Sequence, residues 1–376
     1  MRPNGSSSRI LSITVLAATG VLLASPASAA APGDWTDTEP PKLDQDYWFE
    51  AIAPLSADDA WAAGVAYGPA LDDGVLMHFK AGEWTHDILT ATPLSDIAAL
   101  SGDEAWAVGY DHQARQPVAI HSGSELTTTP ILPPDTDDTT ITNANGIAPI
   151  ASDDVWAAGT VSTAPSAAAF LSHWNGEEWT KQELPVPEGA TESFLNSITT
   201  TADGNVWAAG SVKFADGTSS AWMPYFDGDG WNDTAVPEPG TSTIGVFDVA
   251  ADGSGAWATG IRIEPGAEHS APLLLHWDGT TWTEISSRVA DGTAEGVSPD
   301  GTGGAYLVGY NSTYDPMLLH YRDGEVAAEE SPVTGDIVRL MDVAADPDLA
   351  NVWITGDHKT PDFVKGIGVH ATTGTA

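Results

Sequence analysis

Apolar and polar residues alternate in short runs along almost the whole chain, and each run is closed by a cluster of Asp, Ser, Gly or Asn. Three such patterns recur in a fixed order. The first is a short apolar stretch followed by an acidic turn, as in "AIAPLSADD" (51–59), "GIAPIASDD" (146–154) and "DVAADGSG" (248–255). The second is W-x-x-G, as in "DDAWAAG" at Trp61, "DEAWAVG" at Trp106, "DDVWAAG" at Trp156, "GNVWAAG" at Trp207, "SGAWATG" at Trp257, "GGAYLVG" at Tyr306 and "ANVWITG" at Trp353. The third reads "HFKAGEW" at His78, "HWNGEEW" at His173 and "HWDGTTW" at His276, with weaker copies at His121, Tyr225 and His320. Alternation predicts strands, and Asp, Ser and Gly between them predict turns that hydrogen-bond their own backbone. Each unit therefore holds four strands: a before the acidic turn, b carrying W-x-x-G, c ending at the histidine, and d opened by the second aromatic residue. After residue 29 no stretch carries a helical pattern.

The aromatic residues of the seven W-x-x-G copies lie 45, 50, 51, 50, 49 and 47 residues apart. Units of this length are in the range of propeller blades. Seven four-stranded antiparallel units predict an all-β, seven-bladed β-propeller, because one blade cannot bury both faces and its neighbours must cover them. The tryptophan of strand b is then a wedge between blades. The seventh unit has strand a (340–345), strand b at Trp353 and strand c in "GIGVHATTG" (366–374), but no strand d. An unpaired stretch, "GDWTDT" (33–38), stands near the other end of the chain. Placing it beside the last strand c predicts ring closure by three strands plus one, which leaves no free edge.

Residues 1–29 predict a secretory signal: Arg2 and Arg9, an apolar run over 10–23, and Ala27-Ser28-Ala29 as a small-residue cleavage site. Residues 30–376 then form a single propeller domain, exported and extracellular. No later segment reaches 18 apolar residues, so no membrane insertion is expected. The 376-residue chain has a formal net charge of −40; after the signal, 11 basic and 53 acidic side chains remain, a net charge of −42. Such a surface excludes nucleic acid as a partner and favours cations or basic proteins. A hydrophobic content of 42%, with 15 tryptophans, argues for a packed core rather than disorder. There is no cysteine, so stability rests on burial and topology.

On the W-x-x-G and H-W-D-G-x-x-W motifs the chain resembles secreted bacterial seven-bladed propellers with Trp-rich, kelch-like or lectin-like repeats. The resemblance covers essentially all of residues 30–376 and implies the architecture, not a chemistry. A kelch Gly-Gly doublet is present only as Gly303-Gly304. The sialidase Asp-box needs Asp-x-Gly before an aromatic residue, and "WDGTTW" (277–282) has Asp and Gly adjacent, which does not support sialidase activity.

His78, His121, His173, His276, His320 and His370 occupy one position in six units; a ring holds them apart, so they read as structural hydrogen-bonding groups rather than a metal set. The acids before W-x-x-G, Asp58–Asp59, Asp103–Glu104, Asp153–Asp154, Asp203, Asp252, Asp300 and Asp346, fall on one face as a ring that could attract calcium, but turn chemistry accounts for them. No metal site and no cofactor are expected. Asp96, Asp248 and Asp342, at the outer end of strand a in three units, are candidates for the central channel, with a structural hydrogen bond as the alternative role. No Ser-His-Asp signature, G-x-S-x-G, H-E-x-x-H or phosphate loop is present. The b–c and d–a connections share the opposite face and vary in length. They carry Tyr67, Tyr110, His112, Phe214, Tyr310 and Tyr314, the candidate ligand-binding residues. Three functions stay open: a non-catalytic lectin-like module for a glycan or other surface polymer, with the targeting subunit of a secreted assembly or toxin as one form of it; a scaffold for a secreted or cell-surface protein; and a propeller-type polysaccharide lyase or glycoside hydrolase.

Overall fold

The computed structural model describes residues 35–135, 139–201, 203–251, 255–335, 337–361 and 363–372. The expected secretory signal, Asp252, the first two residues of "GDWTDT" and the last two of "GIGVHATTG" lie outside the described residues. Among the described residues the regular structure is entirely strand, arranged as seven antiparallel sheets. The blades, 1 to 7 in order, cover residues 47–89, 94–130, 140–181, 190–232, 243–284, 293–329 and 337–372. Each inner strand lies beside that of the next blade, and that of blade 7 beside that of blade 1, so the blades close into a ring. The protein is a seven-bladed β-propeller with four-stranded blades. In blade 4 strand c is broken into Ser219–Trp222 and Tyr225–Phe226. Pro224 between them has no N–H to give to the ladder.

At the outer edge of blade 7 the strand Thr36–Asp37 pairs with Val364–Thr372; Thr36 faces His370 and Asp37 faces Val369. Thr38 extends the contact, its amide and hydroxyl both donating to the Gly368 carbonyl at 3.0 and 2.5 Å. It also accepts a bond from the Trp84 indole of blade 1 at 3.2 Å. Thr129 and Thr234, on the outer strands of blades 2 and 4 or just beyond them, accept the same 3.2 Å bond from Trp179 and Trp282 of the following blades. Thr38 thus makes for blade 7 the bond that an outer-strand threonine makes elsewhere.

The core is divided into layers, one between each pair of neighbouring blades, and each strand-b aromatic residue packs towards the blade that follows. Trp156, only 4% exposed, packs with Leu195, Ile198 and Trp222 of blade 4. Trp207 meets Ile244, Val246 and Trp282 of blade 5. Trp353 meets Ile52 and Phe79 of blade 1, which closes the circle. Burying a ring of this size contributes roughly 25 cal/mol per Å² of apolar surface.

The histidine sits directly opposite the aromatic residue, Trp61 against His78 and Trp156 against His173, so that the rings stack. Centroids are 3.9 Å apart for Trp61–His78 and 4.1 Å for Tyr306–His320. Four of the histidines hydrogen-bond within their own blade to an acid of the a–b turn or the start of strand b: His78 to Asp59 at 2.7 Å, His121 to Glu104 at 3.0 Å, His173 to Asp154 at 2.7 Å and His320 to Asp300 at 2.8 Å. The acidic turns are therefore partly structural partners of the histidines, a link the sequence reading did not make.

Every inner strand carries a β-bulge at the same level. The pairing slips by one residue at Glu50, Ser95, Asn145, Asn196, Phe247, Glu295 and Met341. The bulge explains the glycine of W-x-x-G. A Cβ at Gly64, Gly210 or Gly309 would run into the backbone carbonyl of Trp48, Phe194 or Thr293, two residues before the bulge.

Candidate functional site

A bulge takes a residue out of the ladder and re-aims its side chain. Seven bulges at one level bring seven side chains to one opening, the mouth of the central channel on the face of the b–c and d–a connections. A pocket of 100 Å³ lies there, lined by Glu50, Ser95, Asn145, Asn196, Phe247, Glu295 and Met341 together with Ala51, Asp96, Ser197, Asp248 and Asp342. Asp96, Ser197, Asp248 and Asp342 also line a larger chamber of 450 Å³ that opens towards the acidic turns. These four form the waist between mouth and chamber.

Asp96, Asp248 and Asp342 follow the bulge residue in blades 2, 5 and 7. They lie inside the channel rather than at the outer end of the strand. Each accepts a hydrogen bond from the next blade: Asp96 from the Ile147 amide at 2.8 Å, Asp248 from Val297 at 2.9 Å, and Asp342 from Ile52 at 2.9 Å. Ser197 donates to Asp248 at 2.8 Å. Burial is the largest influence on all three carboxyls and pushes each up, Asp96 well above the ordinary range. Asp342, which also feels the negative charge of Asp248, reaches about 7.

Around the mouth the side chains are held in place. Glu50 accepts a bond from the Trp48 indole at 2.5 Å, and Glu295 one from the Tyr310 hydroxyl. Burial raises both glutamates. Arg339 lies beside them, its Nε donating to Asp357 at 2.7 Å. Burial also pushes Asp357 up, against the lowering effect of Arg339. The Asn145 and Asn196 amides donate to the Leu195 and Val246 carbonyls of the next blades at 2.8 and 2.7 Å.

The structure places the six sequence-predicted residues on four blades. Tyr67, 52% exposed, packs against Trp48 of blade 1. Tyr314, 48% exposed, stacks on Tyr310 of blade 6. These two pairs flank blade 7 and Arg339, and through Trp48 and Tyr310 they reach the mouth glutamates. Tyr110 and His112 belong to a separate pocket of 340 Å³ between blades 2 and 3, where the Tyr110 hydroxyl donates to Asp135 at 2.8 Å. Phe214 is not an exposed ring; it packs against the core between blades 3 and 4. The sequence reading missed Trp48, Glu50, Asn145, Asn196, Phe247, Glu295 and Arg339. A signal was available: each bulge residue stands two places before the Ile or Val shared by all seven inner strands, as in Glu50-Ala51-Ile52 and Glu295-Gly296-Val297.

The two faces differ in character. Asp58, Asp103, Asp153 and Asp203 are exposed on the turn face. Tyr67, Leu71 and Tyr314, exposed large apolar residues, belong to the connections of the mouth face, and the exposed Ile141 and Ile263 to strand ends beside it. Among the described residues no three His, Cys, Asp or Glu side chains are grouped so as to hold a metal ion, and no helix is long and apolar enough to cross a membrane.

No family model and no curated protein matches this sequence. Solved structures do match in fold. YCF48 from Cyanidioschyzon merolae is 12% identical over 90% of this chain and 99% of its own, with a TM-score of 0.54. A chain in the crystal structure of the mitotic checkpoint complex is 10% identical over 97% of this chain and 98% of its own, with a TM-score of 0.55.

Proposed function

We propose that this protein is a non-catalytic binding module that recognises a glycan or other surface polymer through the mouth face of the propeller. The observation that carries the reading is the convergence of fixed hydrogen-bonding side chains, Glu50, Asn145, Asn196 and Glu295, on one pocket, with the exposed rings of Tyr67 and Tyr314 at its sides. Sugars need this combination: their C–H faces stack on rings, and their hydroxyls need acceptors and donors fixed in advance. Residues 1–29 read as a secretory signal, which puts this face outside the cell, where such polymers are met.

A second reading, a protein-interaction scaffold, is favoured by the exposed apolar residues Leu71, Ile141 and Ile263 beyond the pocket and by the assembly named for one of its fold neighbours. A glycan array probed with the purified protein separates the two. Binding to a defined set of glycans supports the first reading. Silence on the array, together with capture of a protein partner that is lost on substituting Leu71 and Ile141, supports the second. Release of oligosaccharides from a polysaccharide panel would overturn the non-catalytic assignment.

A further inference from the structure

The glycan reading leaves open what kind of sugar the face takes, and the mouth speaks to that. We propose that the ring of bulge residues is the specificity pocket, and that it takes an uncharged, hydroxyl-rich group, the terminal residue of a neutral glycan. This inference rests on the glycan-binding reading above.

The first support is the imbalance between acceptors and donors. Glu50 and Glu295 are acceptors when ionised, and each already has one donor of its own, Trp48 or Tyr310, that fixes its orientation. Asn145 and Asn196 each turn the amide nitrogen towards a backbone carbonyl. A carbonyl can only accept, so that contact decides which end of the amide faces it and leaves Oδ1 and the second N–H open to a ligand. Below them the waist carboxyls already accept the amides of Ile147, Val297 and Ile52. Ser95 is the only bulge residue with a hydroxyl to give. A ligand that satisfies this ring has to bring donors, and it has to bring several at close spacing, as vicinal hydroxyls do. Phe247 and Met341 offer the apolar wall that a C–H face needs.

The second support is charge. An acidic sugar would face the carboxyls of Glu50 and Glu295. The nearby cation, Arg339, is already paired with Asp357 through Nε. A cationic group at the glutamates would feel the charge of Arg339, as their carboxyls do. With both signs present, neither an anion nor a cation has an unopposed partner. A hydroxyl avoids the conflict, because it donates to a carboxylate and accepts from a guanidinium.

The experiment is a binding panel with the purified protein: glucan, mannan and galactan oligosaccharides as neutral probes, oligogalacturonate as the acidic probe and chitosan oligomers as the cationic one, by titration calorimetry. The expected result is binding to at least one neutral probe, at least tenfold tighter than to either charged probe. Glu295→Ala and Asn196→Ala should each weaken it at least tenfold. Ser95→Trp keeps the proposal testable should those variants fold poorly. Ser95 is exposed and lines the pocket, so the new ring should plug the mouth and abolish binding with the melting temperature unchanged. Tighter binding of the acidic or cationic probe overturns the inference and leaves the glycan reading standing. So does neutral binding that survives Ser95→Trp. Failure of every probe to bind sinks both.

Discussion

The carboxyl of Asp342 titrates at about 7, because burial and the neighbouring Asp248 both disfavour its charge. An unfolded aspartate titrates near ~3.9. Between those values the folded protein holds a proton that the unfolded chain has released, so stability falls as pH rises from about 4 to about 7. Asp96, Asp248, Glu50 and Glu295 are displaced in the same direction by burial and add to the slope. Asp342→Asn keeps an oxygen for the Ile52 amide and removes the charge. We expect its melting temperature at pH 8 to exceed that of the wild type by roughly 2–5 °C, on the scale of 1–2 kcal/mol, with a flatter dependence between pH 5 and 8. An unchanged slope would place the proton elsewhere. His320 acts in the same sense by a different route. Burial would lower it, but the bonds to Asp300 and Glu329 outweigh burial and raise it. Its contribution is complete below about 6.5 and is lost as pH rises through the folded value. Asp300 is the complement: burial opposes its charge, yet the bonds from His320, Thr302 and Gly304 hold it at about 2, so its share is lost only in strong acid. His320→Ala leaves Asp300 buried without its cation and should cost roughly 3–5 kcal/mol in urea unfolding; a loss below about 1 kcal/mol would mean the pair is not charged. The histidine position was legible in the sequence because it recurs. Its partner was not, because pairing His78 with Asp59 requires knowing that Trp61 faces His78 across two strands.

Strands repeat in type and order, and that is why the blades could be read from the chain. The b-strand aromatic residue, tryptophan in six copies and Tyr306 in the other, keeps its spacing to the glycine in all seven, and the c–d turn reappears with enough Gly and Asp to mark it. The bulge has no such mark. One extra residue breaks the alternation on which strand reading depends, and its identity changes from blade to blade: two glutamates, two asparagines, a serine, a phenylalanine and a methionine. The mouth pocket is built from these residues, so the candidate site stayed largely hidden while the fold did not. The residue after each bulge sets how neighbouring blades meet. Asp96, Ser197, Asp248 and Asp342 span the gap with a side chain. Gly146 and Gly296 leave no gap: a Cβ at Gly296 would lie 2.9 Å from the Val343 amide nitrogen, and one at Gly146 would lie 2.9 Å from that of Ile198. Gly296→Ala should therefore force blades 6 and 7 apart at the waist and cost roughly 1–3 kcal/mol. Blade 1 already carries Ala51 at this position, so Ala51→Gly should lack that clash and change stability mainly through backbone entropy, by under about 1 kcal/mol. Equal unfolding midpoints for Gly296→Ala and wild type would show that the blades can separate freely there.

The joint between blades 7 and 1 is crossed by the segment between Asp37 and Tyr47, which ties the two blades only while Thr36–Asp37 stays paired with the last strand, and with no cysteine no disulfide secures that pairing. The layer of Ile52, Phe79 and Trp353 fills that joint from within. At the outer edge the joint depends on the segment before Pro40: Thr36 and Asp37 pair with the last strand, Thr38 bonds Gly368 and Trp84, and Trp35 packs against the layer between blades 6 and 7. Removing residues 1–40 takes away all of these at once. The strand Val364–Thr372 would then present an open edge, with Val369 and Ala371 on it, to other molecules. We expect the truncated protein to melt several degrees lower and to associate as its concentration is raised, both visible by calorimetry with light scattering. An unpaired leader would give neither effect, since untied termini tolerate truncation. The absence of cysteine makes a direct test clean. Thr36 and His370 are opposed across the ladder, so Thr36→Cys with His370→Cys should form a bond within one molecule on mild oxidation, seen as an intact monomer by mass and as a rise in melting temperature reversed by reductant. The His370 ring stacks on Trp353, so the reduced double variant, not the wild type, is the reference for that rise. If neither this pair nor its neighbour at Asp37 and Val369 can be closed, and the truncation leaves the melting curve unchanged, the segment does not complete the last blade and the joint is held by its apolar layer alone.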